Sequence, residues 1–202
     1  MADTNTYLCE SLIARDINQD CSNRSAKGLE ADGVLINRED IDFGATVFDT
    51  ANKNIIKTLA LKAGKRGYKV KQLGSTPFTG TKKDLVKGTY VNTWTKTVAL
   101  AVLENGPQVT RDVIDPISNG TFVAVLRNKT KGADGSAEYE IFGYQQGLMA
   151  SEGSNDAYSD DTQGGYLMTL TEENAPNAGT FLFDTDAKTT AATYASLTTA
   201  TA

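Results

Sequence analysis

Between Thr89 and Leu103 the chain reads Thr-Tyr-Val-Asn-Thr-Trp-Thr-Lys-Thr-Val-Ala-Leu-Ala-Val-Leu. β-Branched and aromatic side chains at this density crowd a helix but fit a pleated surface, so the run predicts a strand of an extended sheet. Its first half alternates, with Tyr90, Asn92, Trp94 and Lys96 on one face and Val91, Thr93, Thr95 and Thr97 on the other. Its second half is apolar on both faces, as in a strand covered on both sides.

The same reasoning gives strands at Thr121–Arg127, Glu138–Tyr144, Gly165–Leu170 and Thr180–Asp184. Asn119-Gly120, the stretch 131–136, Gly164-Gly165 and the stretch 177–179 separate them with turn-forming residues. One short helix is predicted after Asn105-Gly106. Pro107 suits its first position, and Val109, Val113 and Ile117 form an apolar stripe at spacing four. Pro116 is expected to limit it to about two turns. A marginal second helix is expected at Glu10–Ile17, where Leu12, Ile13 and Ile17 share a face.

In the stretch 33–72, the short runs Val34-Leu35-Ile36, Ile41–Phe48, Ile55–Leu61 and Tyr68–Lys71 predict four strands. A helix over Asn52–Ala63 is the alternative. Residues 74–88 have little apolar content and predict a long projecting loop or hairpin. Residues 189–202 are Thr and Ala apart from Tyr194, Ser196 and Leu197, which predicts a flexible tail or a single edge strand. The expectation is therefore mainly β: a β-sandwich or barrel with one short helix, a long projecting loop and extended termini. It divides into an N-terminal extension (1–32), a sandwich domain (33–188) and the tail. At 202 residues, 40% of them hydrophobic, there is material for one core.

Charge is sorted along the chain. Residues 1–52 hold 10 acids and 4 bases, residues 53–131 hold 4 acids and 15 bases, and residues 132–202 hold 11 acids and the single base Lys188. The net −5 hides this polarity. Copies presenting the blocks on different faces attract one another head to tail.

There is no histidine, which removes Ser-His-Asp and Cys-His pairs, His-ligated metals and the commonest general base. Carboxylate and lysine chemistries survive, but no carboxylate pair stands out, and Trp94 alone makes a poor sugar platform. No catalytic residue, cofactor or metal is assigned, and an enzyme is not expected. Cys9 and Cys21, 12 residues apart, could close a small loop, but synthesis in a cytoplasm favours free thiols. After Met1 the polar stretch Ala2–Thr6 is no signal peptide, and no run is long enough to span a membrane.

The loop Ser154–Asp161 offers oxygen ligands at short spacing without the EF-hand pattern. A calcium-dependent surface-binding module is thus one alternative function. The stretch Lys53–Lys71 carries seven bases and no acid, enough for a phosphate backbone. Only Tyr68 interleaves to stack on bases, however, and the chain supplies its own acidic complement. Lys65, Arg66 and Lys69, with Lys82 and Lys83 of the projecting loop, are therefore expected at an interface between copies. Asp156, Asp160 and Asp161 are expected to face something that must be repelled.

This layout resembles bacteriophage virion structural proteins, and tail tube proteins most. The resemblance rests on the strands around Thr89–Leu103 and Thr121–Tyr144, the short helix near Pro107–Ile117 and the loop 74–88. It also includes the closing pattern Phe142-Gly143-Tyr144 followed by Gly165–Leu170. It implies a virion protein made in the host cytoplasm and joined into a homo-oligomeric ring, a hexamer. Rings would stack through the projecting loop and the termini, contact other virion proteins and pass DNA through a negative lumen without specific binding. Asp156, Asp160 and Asp161 would face that lumen. A capsid decoration or head–tail joining protein is the structural alternative.

Overall fold

The computed structural model describes residues 13, 15–17, 21, 24–160 and 162–200. Eleven strands form two sheets. β1 (Leu29–Asn37), β2 (Val47–Phe48), β3 (Ile55–Thr58), β4 (Tyr68–Lys71), β7 (Phe122–Asn128), β8 (Tyr139–Phe142) and β11 (Thr180–Leu182) make a seven-stranded sheet in the order β2-β3-β11-β8-β7-β1-β4. β5 (Lys82–Val86), β6 (Thr93–Val102), β9 (Met149–Asn155) and β10 (Tyr166–Ala175) make a four-stranded antiparallel sheet in the order β5-β6-β10-β9.

Alternation places the core. In β1, Val34 and Ile36 point to one side of the large sheet and Leu35 to the other. In β7, Val123 and Val125 oppose Phe122, Ala124 and Leu126 in the same way. The set with Leu35 meets Val98, Leu100, Met168 and Leu170 of the small sheet, which makes the fold a sandwich. The set with Val34 is covered by Ile41, Leu59 and the C-terminal segment. The large sheet is thus buried on both faces, and its central strands read as continuous apolar runs.

The four strands expected in 33–72 are present as β1 to β4, shorter than their apolar runs, and no helix spans Asn52–Ala63. β1 begins at Leu29, so the sandwich starts inside the stretch expected as an N-terminal extension. Glu10–Ile17 and Cys9 fall largely outside the described residues; Cys21 is a free, exposed thiol.

The helix after Gly106 does not stop before Pro116. Pro107–Val109 (α1) passes through a widened π turn, Thr110–Ile114, into Asp115–Asn119 (α2). There the Asp115 N–H bonds the Thr110 carbonyl five residues back, and Pro116 falls in the first turn of α2, where its missing N–H costs nothing.

The stretch 74–88 is not a free loop along its length. Phe78 is buried between the sheets, Lys82–Val86 pairs with β6, and the exposed tip lies at the β5–β6 turn, residues 87–92.

The tail is a further correction. Ala187–Ser196 is a helix, α3. The Asp186 carboxylate caps it by accepting the Thr189 N–H at 2.8 Å. Thr190 is buried and bonds the Asp186 carbonyl at 2.7 Å. Tyr194 stacks on Tyr139 with ring centroids 4.6 Å apart, Leu197 is buried in the core, and the Gly67 N–H donates to the Leu197 carbonyl at 2.6 Å. Low complexity concealed an Ala-rich helix with two apolar anchors.

Burial pushes the Tyr194 phenol up to about 12, with Asp32 adding to the shift. The unfolded phenol ionises near about 10. The folded state therefore holds the proton longer, and stability falls as pH rises from 10 through 12. A phenolate absorbance titration should show a late-ionising tyrosine that is lost in Tyr194→Phe.

Candidate assembly surface

The small sheet has one face on the core and one turned away from it. Lys83, Lys96 and Glu172 lie in one cross-strand row, since Lys83 pairs with Lys96 and Lys96 with Glu172. They share the inward face with Val98, Leu100, Met168 and Leu170. Opposite the row, on β8, stands Glu140.

Lys83 Nζ reaches Glu140 Oε1 at 2.6 Å and Lys96 Nζ lies 3.4 Å from Glu172 Oε2. Glu172 also accepts the backbone N–H groups of Gly143 (3.0 Å), Gln145 (3.1 Å) and Gln146 (2.9 Å). Burial lowers the Lys96 pKa, and the Glu172 carboxylate works against that shift. Lys96 and Glu172 are 2% and 0% exposed, so they act on the fold rather than on a diffusing molecule. Their pairing fixes register, because a one-residue slip would turn both charges outward.

On the face turned away, Thr93, Thr95 and Thr97 of β6 run beside Thr169 and Thr171 of β10, with Lys82 and Asp84 on β5 and Glu152 on β9. Neither core cluster draws on this face.

Both edges of the sheet are open along β5 and β9, whose residues are exposed except Ala150, which is half-buried. Beyond β5, the edge of β6 is closed by side chains. The Gln72 amide donates to the Ala101 carbonyl at 2.9 Å and accepts the Ala101 N–H at 2.8 Å, imitating a strand partner.

The basic residues singled out from the sequence do not form one patch. Lys65 is 2.9 Å from Asp40, Arg66 lies over the Tyr68 ring at 5.5 Å, and Lys69 is exposed on β4 at the edge of the large sheet. Asp40 is held below the usual carboxylate range: burial opposes this, but the Lys65 ammonium and the Asn37 amide outweigh it. Lys82 pairs with its neighbour Asp84 at 2.9 Å. Lys83, expected at a subunit interface, instead spends its charge on Glu140 inside the chain.

Asp156 and Asp160 are exposed on the loop after β9, at the end of the small sheet rather than on its open face; Asp161 lies outside the described residues. Among the described residues no three acids, cysteines or histidines gather as metal ligands, and no helix is long and apolar enough to cross a membrane.

The charge row, the closed β6 edge and the strand β5 escaped the sequence reading. The row had a signal: Lys96 shares parity with Val98 and Leu100, and Glu172 with Met168 and Leu170. Comparison with protein-family models, curated proteins and solved structures finds no match to this chain.

Proposed function

We propose that this chain is a self-assembling structural protein of the phage tail tube kind, whose copies join into a ring around a DNA-conducting lumen. The observation that carries this reading is the four-stranded antiparallel sheet open at both edges. With an even number of alternating strands, β5 and β9 run in opposite directions. A rotation about an axis along the strands therefore sets β9 of one copy against β5 of the next in antiparallel sense, and a closed ring leaves no edge unpaired.

A hexamer would place about 24 strands in a circle roughly 45–50 Å across at ordinary spacing and tilt. The threonine-rich face would line the lumen, offering hydroxyls and few cations to a passing phosphate backbone. The loop with Asp156 and Asp160 would stand at the mouth, where like charge discourages DNA from sticking. Such a protein would act in the virion, with other virion proteins at the ends of the ring stack.

Electron microscopy of the purified protein tests the reading. Rings or tubes are expected; a monomer that never assembles, or assembly only on capsids or portal complexes, would count against it.

A further inference from the structure

The two ends of the small sheet differ in chemistry. At one end the β5–β6 hairpin projects Leu85 (56% exposed), Val86 (43%), Tyr90 (97%) and Val91 (71%) into solvent. The tip is a built turn: the Gly88 N–H donates to Asn92 Oδ1 at 3.2 Å, and a Cβ at Gly88 would sit 2.1 Å from the Val91 carbonyl oxygen. Its apolar side chains are thus presented on a defined scaffold rather than on a loose loop.

At the other end, past Val102, a groove of about 390 Å³ opens between β4, the end of β6 and the helix after Gly106. Its walls include Val70, Leu73, Val102, Leu103, Val113 and Ile117. Leu73 and Leu103 lie on its rim, 72% and 43% exposed. Gln72 is the polar side chain among them, and both ends of its amide are engaged by the Ala101 backbone. The groove therefore presents apolar carbon and little unmet hydrogen bonding, which suits an apolar side chain rather than a polar ligand.

We infer that the hairpin tip of one copy seats Tyr90 and Val91 in the Leu73–Leu103 groove of a second copy, giving a head-to-tail contact along the strand direction. The occupant is argued from the chain itself. The exposed apolar tip and the open apolar groove lie at opposite ends of one strand, β6, so that translation along the strand brings them together.

Charge sets the orientation. Lys87 is the single charge between Leu85 and Asn92. One lip of the groove carries Lys69 and Lys71, and the other carries Glu104 with the Asp156–Asp160 loop beyond it. Lys87 belongs on the Glu104 side. A groove of this volume takes about two large side chains, so one contact is weak, and several held in parallel bind by avidity. The contact requires self-association of the chain but not ring closure.

Disulfide trapping tests it in a Cys9→Ser, Cys21→Ser background of the full chain. Tyr90→Cys and Leu103→Cys are prepared separately, both at exposed positions, and folding is checked by urea denaturation. Mixed under mild oxidation, the two should cross-link about tenfold faster or more than either alone, and faster than Tyr90→Cys with Lys131→Cys. Adding Val91→Asp to the Tyr90→Cys chain should abolish the gain.

Equal rates for the mixture and for Tyr90→Cys alone would overturn the inference in favour of a tip-to-tip contact. A rate no higher than the Lys131→Cys control would overturn it outright. Failure of the ring reading is distinguishable, because it appears as unpaired β5 and β9 edges while the Tyr90–Leu103 cross-link persists.

Discussion

Glu172→Ala is expected to cost about 3–5 kcal/mol and to leave little folded protein at room temperature. Two losses combine. The Lys96 ammonium, 2% exposed, keeps only Asn177 Oδ1 at 3.4 Å and becomes a buried charge without a counter-charge beside it. The N–H groups of Gly143, Gln145 and Gln146 lose their acceptor, and each unmet group adds a desolvation penalty of about 1–3 kcal/mol where water does not reach it.

The two losses can be separated. Glu172→Gln keeps an acceptor oxygen but removes the charge, so adding Lys96→Met should recover a large part of the stability. In the Glu172→Ala chain the same second substitution should recover less, because the turn stays unbonded. Urea denaturation of the four variants forms the cycles that read this. If Glu172→Ala loses less than about 1 kcal/mol, the carboxylate is not the tie between the turn and the small sheet.

Gly143→Ala should be comparably damaging, at about 3 kcal/mol or more. Gly143 sits in the turn that Glu172 holds, with φ +82°, a conformation L side chains rarely adopt. A Cβ there would lie 2.6 Å from the Phe122 carbonyl oxygen, 2.8 Å from Leu148 Cγ and 2.9 Å from the Leu148 backbone nitrogen. Two of these neighbours are backbone, and Phe122 and Leu148 exchange two backbone hydrogen bonds at 2.8 Å, so neither can yield cheaply. Gly64→Ala makes the comparison: φ is +74° there, but nothing lies within 4 Å. Its loss should be limited to the backbone strain, about 1–2 kcal/mol. Thermal or urea melts showing equal losses at the two sites would contradict the packing argument.

The strands could be read because their alternation was strong. β6, β7, β8 and β11 fall within or beside the stretches predicted for them, since β-branched runs bounded by Asn-Gly and Gly-rich turns leave few other choices. β5 could not be read from Lys-Lys-Asp-Leu-Val, which becomes a strand only because β6 offers it an edge. Helix α3 was hidden for the opposite reason: Thr and Ala suggested a featureless tail, while the cap at Asp186 and the docking of Tyr194 and Leu197 depend on Tyr139 and the loop at Gly67, both distant in sequence.

The charge blocks misled in part. Lys57, Lys65 and Lys83 are matched by Asp49, Asp40 and Glu140 within the chain, so a share of the block polarity is cancelled by folding. What the surface retains for assembly is the sheet with two open edges and an apolar tip, and neither is a charge feature.

The central claim is that the β5 and β9 edges join between copies. Hydrogen–deuterium exchange, followed by residue as protein concentration rises, addresses it most directly. Amides of Lys82–Val86 and Met149–Asn155 should exchange quickly in dilute protein and gain protection together as rings form, while Tyr68–Lys71, an edge of the large sheet, stays fast. Assembly that protects β4 and leaves β5 and β9 exchanging as in the monomer would contradict the account.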